Sequence, residues 1–265
     1  MKLSAVLIAL NEEHTIGPAI ASCRFADEVL VVDGGSTDAT QRIARDAGAR
    51  VVERPFDDFA RQRTFALAQA AGEWVLFVDA DERVPEALAA EVRAAVERPV
   101  ADGYAVPRKN MVLGHWLRWH FGGSDAPVRL VRRERARLQP QGVHEVIDVD
   151  GPTGSLSEPL VHLTHRSVGE LVDKINRYSG IEAAELAARG AAPPTRRAIA
   201  AEFARSFRRY RRSGLRREGD VGAIEAALLA FNRTLVLVKL WERANQDRIR
   251  QAYADAEVHT KEIVR

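Results

Sequence analysis

The 265-residue chain has a single cysteine, Cys23, so no intrachain disulfide can form and the protein suits a reducing cytoplasm. Long hydrophobic runs are missing too. The opening apolar run, residues 3–10, has only Lys2 ahead of it and passes into Asn11-Glu12-Glu13 without a small-residue cleavage site, so it reads as a strand, not a secretory signal. No glycine-rich phosphate loop follows that strand, which weighs against a nucleotidyltransferase. Neither sign of charge dominates: the formal net charge of +2 weighs against general nucleic-acid binding. Internal repeats are absent, and the one biased segment is an arginine cluster near residues 205–217. What is present, 46% hydrophobic and 29% charged residues, is the composition of a soluble globular protein. The length suits one catalytic domain with an appended helical part.

Trp74-Val75-Leu76-Phe77-Val78 is an apolar run that stops in Asp79-Ala80-Asp81-Glu82. A continuous apolar run bounded by charge reads as a strand buried on both faces, as in a parallel sheet, where ligands sit beyond the carboxyl ends of the strands. Asp79 and Asp81 are hard oxygen donors that can share Mg²⁺ or Mn²⁺ where the chain turns. The same residues also suit a solvated acidic turn ahead of the helix that starts near Pro85. Residues 3–10 and 28–32 repeat the pattern, ending in Asn11-Glu12-Glu13 and in Asp33-Gly34-Gly35-Ser36-Thr37-Asp38. Helical patterns follow at 15–24 and 37–47, with Gly48 as a stop, and a short strand at 50–53 and a helix at 59–71 lead into the Trp74 strand. This alternation predicts a parallel sheet whose acidic strand ends converge on one crevice. Asp33 there can accept a pyrimidine N–H or ribose hydroxyls, or can shape the turn and cap the next helix.

These segments, in this order and spacing, resemble family-2 glycosyltransferases, and the fold implied is α/β, a single Rossmann-like nucleotide-sugar-binding fold of type A with a C-terminal helical extension. Within that family, Gln62-Arg63-Thr64-Phe65-Ala66-Leu67, Val128-Arg129-Leu130-Val131-Arg132-Arg133, Val143-His144-Glu145 and Lys174-Ile175-Asn176-Arg177-Tyr178-Ser179 resemble bacterial lipopolysaccharide-core glucosyltransferases. The resemblance implies that Asn11, Glu12, Glu13 and Asp33 hold the uracil and ribose of a UDP-sugar, with Arg63 and Asp79 also at the nucleotide-sugar. It implies that Asp81, with Asp79, ligates Mg²⁺ or Mn²⁺ and that His162 adds a further contact to metal or diphosphate. His165 fits that pattern less well.

Sugar transfer needs a stabilised leaving diphosphate and a base for the acceptor hydroxyl, and a base opposite the leaving group gives inversion. Glu145, in Gly142-Val143-His144-Glu145, is the candidate base, because the resemblance puts a His-Glu pair on the acceptor side. Asp125, in the glycine-rich segment 122–125, is the runner-up, and a structural ion pair to the arginines of 129–137 is the other reading of Glu145. His115, Trp116, Trp119 and His120 form an aromatic segment that suits stacking on a sugar or packing on the sheet. The expected acceptor is a glycolipid or lipopolysaccharide core. The alternatives are another cell-envelope glycan or a polyprenyl phosphate, and, in another class, a non-catalytic nucleotide-sugar-binding or membrane-adaptor protein.

The catalytic domain is expected over 1–166 and a helical region over 167–265. The first helix there, 167–188, is expected to break near Gly180, with a linker at 190–194. Ile224, Leu228, Phe231, Leu235 and Val238 mark one apolar helical face, judged too short to span a bilayer. Beside Arg205, Arg208, Arg209, Arg211, Arg212, Arg216 and Arg217, that face suits peripheral contact with an anionic membrane, at the cytoplasmic face of the inner membrane, or a homo-oligomer seam.

Overall fold

The computed structural model describes residues 1–118, 125–141 and 144–263, with side chains described except at 140, 141, 144, 145, 165 and 258–263. The expected alternation is present: β1 (Leu3–Ala9), α1 (Ile16–Ser22), β2 (Glu28–Asp33), α2 (Thr40–Asp46), β3 (Arg50–Glu53), α3 (Phe59–Gln69) and β4 (Trp74–Phe77). Then come β5 (Glu82–Arg83), α4 (Glu86–Glu97), β6 (Gly103–Ala105), β7 (Arg108–Val112), β8 (His115–Trp116) and β9 (Val128–Arg132). β10 (Ala136–Gln141), β11 (His144–Val149), β12 (Thr153–Ser155) and β13 (Leu160–His165) complete the strands.

Seven strands form the main sheet in the order β12-β6-β9-β4-β1-β2-β3. Strands β3, β2, β1 and β4 run parallel, as expected, but the sheet as a whole is mixed, because β9 pairs antiparallel with both β4 and β6. Among the described residues between α4 and β9 there is no helix of the kind a further parallel crossover requires. Period-two burial explains the layers. Leu3, Ala5 and Leu7 of β1, with Trp74 and Leu76 of β4, pack on α1, α2 and α4, while Val6, Val75 and Phe77 pack on α3 and the β10–β11 hairpin. β1 lies between β2 and β4: the chain passes from β1 to β2 on one side and returns from β3 through α3 to β4 on the other, which opens a crevice beyond their carboxyl ends.

Local chemistry sets the helix ends. Asp58 caps α3 by accepting from the Arg61 amide at 2.7 Å. Gly48, at φ 90°, stops α2 as expected, and the next amide, of Ala49, returns to the Ala44 carbonyl. A smaller sheet, β5-β13-β7-β8, carries the residues that matter below.

The chain divides into two compact units, Met1–Val168 and Gly169–Arg265. The second is helical: α5 (Val168–Ala188), α6 (Arg196–Arg212), α7 (Gly219–Ala244) and α8 (Gln246–Ile263). Two expectations are corrected here. α5 runs unbroken through Gly180, since one glycine costs a helix only about 1 kcal/mol and its neighbours favour helix. α7 has 26 residues, and by length and composition it is long and apolar enough to cross a membrane. Its buried side is made of small residues: Gly222, Ala226 and Ala230, ahead of Val236 and Leu240. Ile224, Phe231 and Val238 of the expected apolar face are exposed.

Candidate active site

The loops after β1 and β2 are tied to each other. Asn11, at φ 57°, donates its amide to Ser36 Oγ (2.9 Å), and its Oδ1 accepts from the Thr37 amide (2.8 Å). The Glu12 amide donates to Thr40 Oγ1 (2.7 Å), and Glu13 Oε2 accepts from the Ala39 amide (3.0 Å). Asn11, Glu12 and Glu13 thus brace the loop that Asp33 opens. Asp33 is 0% exposed; its Oδ2 accepts from the amides of Gly35 and Ser36 and from Gln41 Nε2, each at 2.9 Å. This is the turn-shaping role. Its other oxygen, Oδ1, is buried and has no partner, an exception to the rule that buried polar atoms are bonded. A donor arriving with a ligand would complete it.

Beyond β4 the two aspartates part company. Asp79, expected beside Asp81 as a metal ligand, has one carboxylate oxygen bonded to Arg63 and the other to Arg129 at 2.6 Å. The reason is position: Asp79 lies where α3 presents Arg63 and β9 presents Arg129, both buried. Burial pushes the Asp79 carboxyl up, but Arg129 and Arg63 outweigh it and hold it well below the ordinary carboxylate range. Arg63, expected at the nucleotide, is committed to Asp79 and lies over the Phe77 ring. Thr64 bonds back to the Ala60 carbonyl at 2.7 Å.

Asp81 instead faces His162. Its Oδ2 is 3.3 Å from His162 Nε2. The Leu163 amide donates to the Asp81 carbonyl at 2.9 Å, which fixes the Asp81 turn against β13. One carboxylate and one imidazole are donors that would hold part of the shell of an Mg²⁺ or Mn²⁺ ion. Among the described residues no group of three or more His, Cys, Asp or Glu side chains could hold a metal by itself.

Sequence reasoning missed Glu82 as a structural element of the site, although it sits inside the acidic cluster. Its side chain is 0% exposed and accepts from Arg129 (3.0 Å) and from the Asp79 amide (2.9 Å). Burial raises its carboxyl above the usual range against the pull of Arg129, and the Asp79 charge adds to the rise. Arg108 and Asn110 on β7 were also missed, and no local signal marks them. Arg108 grips Asp125 through Nε (3.0 Å) and Nη2 (2.6 Å), and Asn110 Nδ2 donates to Asp125 Oδ2 at 2.8 Å. Asp125, the runner-up base, is thus held by a bidentate pair.

Glu145 lies on β11, where its backbone pairs with Pro140, and its side chain, like that of His165, is outside the described residues. Trp119 and His120 are outside them entirely. His115 and Trp116 form β8, and Lys109 Nζ lies 4.9 Å from the Trp116 ring centre.

The fold is a mixed α/β sheet with an orphaned carboxylate oxygen at the end of β2 and an Asp–His pair beyond β4. Residues 4–149 match the family model described as glycosyl transferase family 2. Over 253 residues the chain is 33% identical to the lipopolysaccharide core biosynthesis glycosyltransferase LpsC of Rhizobium meliloti (strain 1021), spanning 92% of this chain and 93% of that protein. Over 261 residues it is 32% identical to an uncharacterized glycosyltransferase of Rickettsia bellii (strain RML369-C), spanning 92% and 88%. Among solved structures, S. aureus TarS 1–349 matches with a TM-score of 0.48 at 19% identity, over 70% of this chain and 65% of that one. The chain belongs to glycosyl transferase family 2, with the α/β fold of type A. It is a glycosyltransferase.

Proposed function

We propose that the protein transfers a hexose, with glucose as first choice, from a UDP-sugar to a saccharide hydroxyl of the lipopolysaccharide core, with inversion and with Mg²⁺ or Mn²⁺. The observation that carries the reading is the presence of an orphaned Asp33 Oδ1 at the end of β2 together with the Asp81–His162 pair beyond β4, on the two strands that flank β1. Similarity to LpsC along nearly its whole length supports the lipopolysaccharide acceptor. Asp33 Oδ1 accepts from uracil N3–H or a ribose hydroxyl, in a loop that Asn11, Glu12 and Glu13 hold in shape. Asp81 and His162 would hold the ion, which when bound offsets the charge that develops on the leaving diphosphate. Asp79 keeps Arg63 and Arg129 in place beneath it.

Glu145 takes the acceptor proton in this reading. The bidentate grip of Arg108 and the Asn110 bond on Asp125 favour Glu145, because a carboxylate engaged on both oxygens is a poor proton acceptor. The helical unit supplies peripheral membrane contact at the cytoplasmic face. Phe203 and Phe207, four residues apart on α6, are 63% and 58% exposed in the segment that carries the arginine cluster.

The test is calorimetry and turnover with UDP-glucose and Mn²⁺. Asp33→Ala should weaken UDP binding, and Asp81→Ala should abolish turnover in a protein that still folds. Full turnover by Asp81→Ala, or in excess chelator, overturns the metal-dependent reading. Flotation with phosphatidylglycerol vesicles but not phosphatidylcholine vesicles is expected for membrane contact; a concentration-dependent dimer without flotation makes the exposed face a homo-oligomer seam.

A further inference from the structure

We propose that Asn110 sets the tautomer and ring orientation of His162, and that Asp125, clamped by Arg108, sets Asn110. The inference deepens the proposed function, since it concerns the same Asp81–His162 pair. Asn110 and His162 are direct register partners on the parallel strands β7 and β13, so their side chains leave the same face of the small sheet side by side. His162 Nδ1 lies 2.7 Å from Asn110 Oδ1, and Nε2 points the other way, toward Asp81 Oδ2.

A carboxamide could offer the imidazole either its oxygen or its NH₂ group. Asp125 decides which, because an ionised carboxylate only accepts. With Asn110 Nδ2 donating to Asp125 Oδ2, the Asn110 oxygen is turned to His162. An amide oxygen also only accepts, so the ring proton sits on Nδ1. In the neutral ring Nε2 then carries a lone pair, aimed at the same space as the Asp81 carboxylate. Two acceptors 3.3 Å apart repel unless a second ring proton or a metal cation lies between them. The chain Arg108, Asp125, Asn110 thus turns His162 into a lone-pair donor facing a carboxylate. Arg108 makes the arrangement firm, since its fork bonds fix Asp125 in one orientation.

Asn110 and Asp125 are positioning residues, and their role can be read without turnover. The ¹⁵N shifts of His162 in histidine-labelled protein, assigned with His162→Gln and recorded metal-free at pH 8, should show the proton on Nδ1. A proton on Nε2 in the unmodified protein overturns the proposal, and this measurement requires no destabilising variant. Asp125→Asn offers Asn110 a partner that both donates and accepts, so a mixture of tautomers is expected; unchanged Nδ1–H removes Asp125 from the chain of control. Asn110→Ala should weaken Mn²⁺ binding, measured by calorimetry, by about 10- to 100-fold. Unchanged affinity overturns the positioning role. If the unmodified protein binds no Mn²⁺ at all, the metal part of the proposed function fails, while the metal-free spectrum still decides the tautomer.

Discussion

Arg129→Met should be the most destabilising single change at the site, and its cost can be worked from the burial of its partners. Arg129 is 5% exposed and donates to Asp79, which keeps Arg63, and to Glu82, which is 0% exposed. Removing one partner of a buried ion pair costs about 3–5 kcal/mol, because the charge left behind has lost its compensation. For a unit of 168 residues each kcal/mol moves Tm by about 2–4 °C, so a fall of about 6–20 °C is expected. The assay is urea unfolding at pH 7 of Arg129→Met, Glu82→Gln and the double variant. Because the double variant buries no uncompensated Glu82 charge, it should be more stable than the sum of the single costs by at least about 1.5 kcal/mol.

pH gives a second check. In the variant the Glu82 carboxyl, already raised by burial, rises further above its unfolded value. The unfolded state then binds fewer protons than the folded state, so stability falls as pH rises through that window, and the deficit should shrink as pH drops from 7 toward 5. A loss under about 1 kcal/mol, or costs that add within about 0.5 kcal/mol, would refute the reasoning.

Glu145→Gln should keep UDP-sugar binding and lower transfer by about 10²–10⁴-fold, with no recovery at high Mn²⁺. Asp125→Asn should lose less and recover at saturating Mn²⁺, and the reverse pattern would make Asp125 the base. The Cys23 thiol, pushed up to about 12 by burial, should react with a thiol reagent only at the rate of unfolding; fast labelling of the folded protein would contradict its buried place at the C-terminal end of α1. Gly72→Ala would put a methyl group 2.6 Å from the Ser4 nitrogen and 2.8 Å from the Trp74 carbonyl, at a cost of about 1–3 kcal/mol in urea unfolding; a neutral result would show that the β1–β4 edge can yield there.

Much of this was legible in the chain. Three of the four parallel strands, β1, β2 and β4, are apolar runs leading into acids, the pattern of strands buried on both faces, while β3 is a short, part-exposed edge strand. Asp33 and Asp81 stood out because strand ends in such a sheet are where ligands bind. The fate of Asp79 was not legible, since a carboxylate two residues from another looks like its twin until α3 and β9 place guanidinium groups on both its oxygens. The apolar face of α7 was legible as a pattern but not as a surface. Glycine and alanine do not announce themselves as the packed side, yet Gly222, Ala226 and Ala230 occupy it.

The sequence by itself determined the alternating unit, the family and the acidic strand ends proposed as the site, because those depend on periodicity and on residues close together in the chain. The tertiary structure alone decided that Asp79 meets two guanidinium groups, that Asp81 meets His162 and that Asn110 lies against His162. Asn110 is 52 residues from His162, Arg129 is 50 from Asp79, and neither pairing leaves a local trace. Strand register makes the first contact and the antiparallel insertion of β9 beside β4 makes the second. Such contacts follow from how distant segments close on one another, and a pattern read along the chain cannot carry that information.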